Sequence, residues 1–153
     1  MAAGPTLHAS CVVVGEAGVL IRGPSGSGKS RLARELIFEA ERLGRFARLV
    51  GDDRIAVANR HGRLVGTANP AIAGKLESHG FGVLTLPYEK SAIVRLVIDC
   101  LTEAPPRLPL PDDRTLRLEG VALPRIGAVV EPGLARIVLL HLDNSGDDLM
   151  TDP

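Results

Sequence analysis

Gly23-Pro24-Ser25-Gly26-Ser27-Gly28-Lys29-Ser30 fits the pattern G-x-x-x-x-G-K-[ST] at every specified position. The residue types answer a chemical need. Glycines let successive backbone N–H groups turn inward and approach phosphates closely. A helix opening at Lys29 would aim the positive end of its dipole at the same point. The lysine ammonium can reach the β- and γ-phosphates, and the Ser30 hydroxyl can ligate Mg²⁺. With Gly at 17 of 153 residues and only three lysines, chance supplies roughly 0.003 matches to this motif in a chain of this composition. The flanks agree. Residues 7–14 and 19–22 read as two short apolar strands joined by the turn residues Gly15-Glu16-Ala17-Gly18. From Lys29 to Leu43 the apolar residues Leu32, Ala33, Leu36, Ile37 and Ala40 keep helical spacing until Gly44. Strand, glycine loop and helix together predict a nucleoside triphosphate site with Gly23, Pro24, Ser25, Gly26, Ser27, Gly28, Lys29 and Ser30 around the phosphates.

Further along, Phe46–Val50 reads as a strand running into Gly51-Asp52-Asp53. Arg54–Ala58 and Arg63–Thr67 form a hairpin turning through Asn59–Gly62, and Phe81–Leu86, Ile93–Leu101 and Thr115–Glu119 are further strands. Four prolines between Ala104 and Pro111 exclude regular structure there. Glu131-Pro132-Gly133 before Leu134–Leu142 suits a helix start, with an apolar strand as the competing reading. Residues 1–6 and 144–153 are expected to fray. The expected fold is α/β, a single three-layer P-loop nucleotide-binding domain over residues 1–153, with a twisted mixed sheet and flanking β-hairpins.

Composition narrows the function classes. Hydrophobic residues at 45% and charged residues at 24% exclude a disordered chain or a coiled-coil rod. Eighteen basic and eighteen acidic residues cancel, which argues against a nucleic-acid or anionic-lipid partner. Aromatics at 3%, without tryptophan, give no platform for base stacking. Cys11 and Cys100 lie far apart in apolar runs and read as buried free thiols in a reducing cytoplasm. No apolar run approaches the roughly 18 residues of a membrane span. Leu7-His8-Ala9-Ser10-Cys11 resembles a lipoprotein cleavage box but lacks the basic start and apolar stretch of a signal peptide.

A phosphate loop needs a carboxylate at the end of a neighbouring strand, to hold the metal or its water or to activate the nucleophile. Three places compete: the pair Asp52-Asp53, Asp99 within Leu96-Val97-Ile98-Asp99, and Asp143 after Val138–Leu142. In a pair, one carboxylate can act as base while the other orients water or metal.

The neighbours of the loop resemble the catalytic domain of HPr kinase/phosphorylase, which acts on a serine of the phosphocarrier HPr. Five stretches carry the resemblance, in the family's order. His8 stands fifteen residues before Gly23, where the family has a catalytic histidine. The phosphate loop follows. Leu49-Val50-Gly51-Asp52-Asp53-Arg54 is similar to V-A-D-D-R. Leu76-Glu77-Ser78-His79-Gly80-Phe81-Gly82-Val83 is similar to L-E-[VI]-R-G-[LI]-G-[LIV]. Arg107-Leu108 with Gly120-Val121-Ala122-Leu123-Pro124 resembles the R-L-G-L…G-V-x-[IL]-P stretch. The resemblance covers roughly residues 7–142 and implies a protein serine kinase using ATP and Mg²⁺ on an HPr-like phosphocarrier. It also implies phosphorolysis of the product and a homo-oligomer, a hexamer in the family. It implies Lys29, Asp53, His8 and Arg107 as catalytic residues, with Asp53 as base, His8 positioning the serine or phosphate and Arg107 covering the transferred group. Ser30 and Glu77 take the metal. The chain departs from the family at Arg31, where a glutamate is common, and at His79, in place of the signature arginine. Its helix after the loop is longer, the P-x-R-P-G-R stretch is only echoed by Pro124–Gly133, and the expected form is a short one without the family's N-terminal domain. These differences bear more on the phosphorylase direction than on the kinase direction.

Each assignment has a plainer alternative. His8 can be a strand histidine bonded to a carbonyl, Glu77 a solvated turn residue and Arg107 a loop charge. His61 and His141 have no assignment. At the level of function, two rivals stand: a small-molecule P-loop kinase with Asp99 on the metal side, and a nucleotide-sensing module without catalysis. The chain has no N-K-x-D, which disfavours a GTPase, and no L-S-G-G-Q-like stretch, which disfavours a transporter ATPase.

Overall fold

The run Cys11-Val12-Val13-Val14 is apolar on both faces, and the strand that holds it is buried on both. The computed structural model describes residues 4–78, 80–105, 108 and 110–151. In chain order its elements are strands β1 (Thr6–Leu7), β2 (Ala9–Val14) and β3 (Ala17–Arg22), helix α1 (Lys29–Arg42), then β4 (Ala47–Gly51), β5 (Ile55–Arg60), β6 (Arg63–Ala68), β7 (Lys75–Ser78), β8 (Gly82–Thr85), β9 (Ser91–Cys100), β10 (Thr115–Leu118), β11 (Val121–Ala128) and helix α2 (Leu134–Thr151). The main sheet runs β1-β5-β6-β9-β3-β2-β4, with β11 attached to β9 and β10 to β11, while β7 and β8 form a separate two-stranded sheet.

The sheet is mixed. β2 pairs antiparallel with β3 and β4, and β3 lies parallel to β9. The ten residues of β9 join three parts of the sheet. Ser91–Ile93 pair antiparallel with β6, and Val97–Cys100 pair parallel with β11. Alternating side chains on these strands feed two cores. On one face Val12, Val14, Val19, Ile21, Leu96 and Ile98 pack with Leu32, Leu36 and Ile37 of α1 and with Leu134, Val138 and Leu139 of α2. On the other, Cys11, Val13, Leu20 and Val97 meet Ile55, Val57 and Leu64 from the β5–β6 hairpin and Val121 and Leu123 from β11. The sheet therefore curls over its own second face, which gives the three expected layers of an α/β domain. Truncating a fully buried leucine such as Leu36 to alanine would cost about 2–5 kcal/mol.

Helix α1 stops where its chemistry changes. Arg45 N–H bonds to Ala40 O at 2.9 Å and Gly44 N–H to Glu41 O at 2.9 Å, the paired bonds of a Schellman ending. Both cysteines are buried and free. Burial pushes the Cys11 thiol up to about 12 and the Cys100 thiol up to about 11, so neither is a nucleophile near neutral pH. Among the described residues no helix is long and apolar enough to cross a membrane.

Four elements differ from the sequence reading. The expected strand 7–14 breaks at His8, because β1 pairs with β5 while β2 pairs with β3 and β4. The expected strand Phe81–Leu86 is half of a hairpin whose first strand, β7, is too short and polar to stand out. β11 contains Pro124 and Gly127, yet Val121–Pro124 pair with β10 and Arg125–Ala128 with β9. The helix expected from Leu134 forms in place of the competing strand, but it runs beyond Leu142 and continues through residues 144–151, where fraying was expected.

Candidate functional site

The phosphate loop lies between the end of β3 and the start of α1. Its glycines meet two constraints. A Cβ at Gly23 would sit 2.6 Å from Ser27 Oγ and 2.9 Å from the backbone oxygen of Cys100. Gly28 has φ 102 as the residue capping α1, and a Cβ there would meet Val130 at 2.9 Å. Any side chain at these positions would open the loop. The Lys29 side chain lies along the loop and is only 9% exposed, donating to Gly23 O at 2.8 Å and to Pro24 O at 3.3 Å. Ser27 Oγ is buried with no hydrogen-bond partner among the described residues.

The neighbouring strand β4 delivers the acidic pair. Asp52 is 6% exposed, and its carboxylate is the hub of the site. Its Oδ1 accepts from Ser30 Oγ at 2.8 Å and from Ser10 Oγ at 2.7 Å, and its Oδ2 accepts from Glu77 N–H at 3.2 Å. One carboxylate thereby ties the first turn of α1, the sheet strand β2 and the hairpin strand β7 together. Three donors on a buried carboxylate fix its orientation.

Asp53 faces the other way. It takes a left-handed φ of 66, its N–H reaches Ser10 Oγ at 3.4 Å, and its side chain is 63% exposed. Its Oδ1 lies 3.8 Å from His8 Nδ1. The break between β1 and β2 is what turns His8 toward this carboxylate. The fold thus splits the two aspartates, one locked behind the Ser30 hydroxyl and one open beside a histidine.

A cleft of about 470 Å³ unites these groups, lined by Ser25–Ser30 of the loop, Arg31 and Arg34 of α1, Asp52, Asp53, Glu77, Ser78 and Val130. Glu77 is exposed there. Arg34 Nη1 donates to Ser78 Oγ at 3.0 Å. The structure therefore brings together every predicted loop residue from Ser25 to Ser30 with Asp53 and Glu77, and it places His8 beside Asp53. Arg107 and His79 lie outside the described residues. Sequence reasoning named the acidic pair but did not select Asp52, and it passed over Ser10, Arg34 and Ser78. The alternation of buried Leu76 and Ser78 with exposed Lys75 and Glu77 was the one local signal for β7.

The two other carboxylates are occupied elsewhere. Asp99 alternates with Ile98 and Cys100, which pack toward α1, so it points to the opposite face. Arg22 grips it at 2.8 and 2.9 Å and Arg125 at 2.6 Å. Burial pushes its carboxyl up, but the two guanidiniums outweigh burial and hold it below the ordinary carboxylate range. Asp143 pairs with Arg45 at 3.0 Å on the surface. Neither lines the cleft.

The donor set fits Mg²⁺. Ser30, Asp52 and Glu77 offer hard oxygen ligands along one wall, and Mg²⁺ takes one or two carboxylates and completes its shell with phosphate and water. Among the described residues no cluster of three His, Cys, Asp or Glu forms a cage for a metal on its own.

Comparison with known proteins gives the same picture. The profile of the HPr Serine kinase C-terminal domain family matches residues 1–92. The chain is 33% identical over 147 residues to the HPr kinase/phosphorylase of Limosilactobacillus reuteri, covering 89% of this chain and 44% of that protein. It is 34% identical over 143 residues to the HPr kinase/phosphorylase of Geobacter sulfurreducens, covering 84% of this chain and 43% of that one. It thus spans less than half the length of these relatives. The structure of the Hpr(Ser) kinase/phosphatase from Coxiella burnetii superimposes with a TM-score of 0.77 at 26% identity, over 95% of this chain and 99% of that one. The chain belongs to the HPr serine kinase C-terminal domain family.

Proposed function

We propose that this member of the family is an ATP-dependent serine kinase acting on an HPr-like phosphocarrier protein in the cytoplasm. The observation that carries the proposal is the split acidic pair, with Asp52 bonded to the Ser30 hydroxyl and Asp53 open to solvent beside His8. A nucleotide-sensing module needs the first carboxylate but has no use for the second. A kinase needs both.

The loop amides and the N-terminus of α1 would bind the phosphates of ATP, with Lys29 exchanging its bonds to Gly23 O and Pro24 O for phosphate oxygens. Ser30, Asp52 and Glu77 would hold Mg²⁺, which when bound neutralises charge on the phosphate oxygens. Asp53 accepts the proton of the acceptor serine hydroxyl. The serine oxygen then bonds to the γ-phosphorus as the bond to the β-bridging oxygen breaks, and ADP leaves. His8, 3.8 Å from Asp53, positions the serine or the incoming phosphate. Arg107 is assigned to cover the transferred group. In reverse, phosphate attacks phosphoserine, the serine oxygen recovers its proton from Asp53, and pyrophosphate forms. A homo-oligomer, a hexamer by family resemblance, belongs to the same reading and is checked by sedimentation.

The test is incubation with Mg²⁺, ATP and an HPr-like phosphocarrier, followed by mass spectrometry of the carrier. Phosphorylation of a serine supports the reading, whereas phosphorylation of small acceptors with the carrier untouched would replace it with a small-molecule kinase.

A further inference from the structure

Residues four apart on a helix stack on one face. Ser30 and Arg34 stand in that relation on α1, and both reach across to the same neighbours. Ser30 bonds Asp52, Asp52 accepts from Glu77 N–H, and Arg34 bonds the hydroxyl of the next residue, Ser78. Helix, strand end and hairpin thus close a ring of hydrogen bonds along one wall of the cleft, and Arg34 is the cation in it.

The two arginines on this stretch of α1 differ in how their charge is met. Arg31 is neutralised by Glu35 at 2.9 Å. Arg34, part-buried, makes no ion pair among the described residues, and its partner is a neutral hydroxyl. A guanidinium carries five N–H donors in a planar fork, and the Ser78 bond engages one of its nitrogens. An unneutralised, partly desolvated fork lining a cleft favours a group that brings negative charge and paired acceptors. Latching the hairpin to α1 requires only a donor, not a charge.

We propose that Arg34 is a specificity-determining residue that binds an anionic group, phosphate or carboxylate, at the α1–β7 end of the cleft, with Ser78 fixing the plane of its fork. This rests on the phosphoryl-transfer reading of the same site. The anion has two sources with the same chemistry: a free phosphate or pyrophosphate, or an acidic or phosphorylated side chain on the acceptor protein beside the reacting serine.

The experiment compares the wild type with Arg34→Gln, which keeps a donor for Ser78 and removes the charge, with Arg34→Lys, which keeps the charge and removes the fork, and with Ser78→Ala. Calorimetric titration of pyrophosphate in the presence of Mg²⁺ reports free phosphates, and the KM for an HPr-like phosphocarrier reports the acceptor. Melting temperature is followed for every variant. A loss of pyrophosphate affinity of about tenfold or more in Arg34→Gln, the worth of a charge-assisted hydrogen bond, with a smaller loss in Arg34→Lys, supports the proposal with free phosphate as the source. Unchanged pyrophosphate affinity with a comparable rise in the acceptor KM at constant kcat supports it with the acceptor as the source. If both quantities stay at wild-type values while Ser78→Ala and Arg34→Gln lower the melting temperature alike, Arg34 is a latch and the proposal is overturned. A wild type that binds pyrophosphate but phosphorylates nothing overturns the kinase reading, and unchanged pyrophosphate affinity in Arg34→Gln then overturns the Arg34 role as well.

Discussion

Ser30 Oγ donates a 2.8 Å hydrogen bond to Asp52 Oδ1, joining the first turn of the phosphate-loop helix to the end of the adjacent strand. The same oxygen accepts from Ser10 at 2.7 Å. The carboxylate is thus fixed from two sides by the protein's own hydroxyls. Preorganisation of this kind lets a site act on charge without reorienting its own groups.

Replacing Asp52 by Asn puts an amide N–H₂ into a shell made of donors. Either both hydroxyls, which share Oδ1, or the Glu77 N–H on Oδ2 then lose their acceptor. Unfolding in urea is expected to show a loss of about 1–3 kcal/mol, the cost of a buried polar group left unpaired. Phosphoryl transfer should be lost together with Mg²⁺ dependence. Wild-type stability in this variant would show that the three bonds carry no energy.

Glu77 holds its main chain to Asp52 and leaves its carboxylate exposed in the cleft. Glu77→Gln therefore keeps the backbone anchor and removes one oxygen ligand. The Mg²⁺ concentration giving half-maximal activity should rise with little change in melting temperature. An unchanged metal titration would make Glu77 a solvated residue.

Asp53 and His8 lie 3.8 Å apart at the mouth of the site. Asp53→Asn keeps the size of the side chain and removes the proton acceptor. Phosphorylation of the carrier should fall by about 10²–10⁴-fold with nucleotide affinity retained. If Asp99→Asn abolishes turnover and Asp53→Asn does not, the assignments of Asp53 as base and of Asp52 to the metal fail together.

The hydrogen bonds of Asp99 to Arg22 and Arg125 make a prediction about acid. Burial works against the charged form, but the two guanidiniums win, so the folded-state value lies below the unfolded one. A carboxylate lowered on folding stabilises the protein above its unfolded value, about 3.9 for aspartate, and that contribution disappears as pH falls through the folded value. Urea unfolding of Asp99→Asn should accordingly show a stability deficit at neutral pH that narrows as pH drops below about 4. A deficit independent of pH would assign it to packing instead of charge.

The phosphate loop and its helix were legible because their signals are local. Gly23, Gly28, Lys29 and Ser30 stand at fixed places in one eight-residue pattern, and Leu32, Leu36 and Ile37 repeat with the helix. β11 was not legible, because Pro124 and Gly127 speak against a strand and only the change of partner from β10 to β9 explains them. The break at His8 follows from pairing with a strand far along the chain, Thr6 with Ala56. The site divided in the same way. The pair Asp52-Asp53 was visible as a pair and the resemblance singled out Asp53, but the part of Asp52 depends on Ser10 and the Glu77 N–H, which approach it only in the folded chain.

The central claim is transfer of a phosphoryl group to a serine of a protein acceptor. Its most direct measurement is mass spectrometry of an HPr-like phosphocarrier after incubation with this protein, Mg²⁺ and ATP, with Lys29→Ala as the control for the phosphate loop. The predicted result is a single phosphoserine on the carrier, formed by the wild type and absent with Lys29→Ala, whose melting temperature stays at the wild-type value. An unmodified carrier, from a protein that binds ATP and is folded, would contradict it.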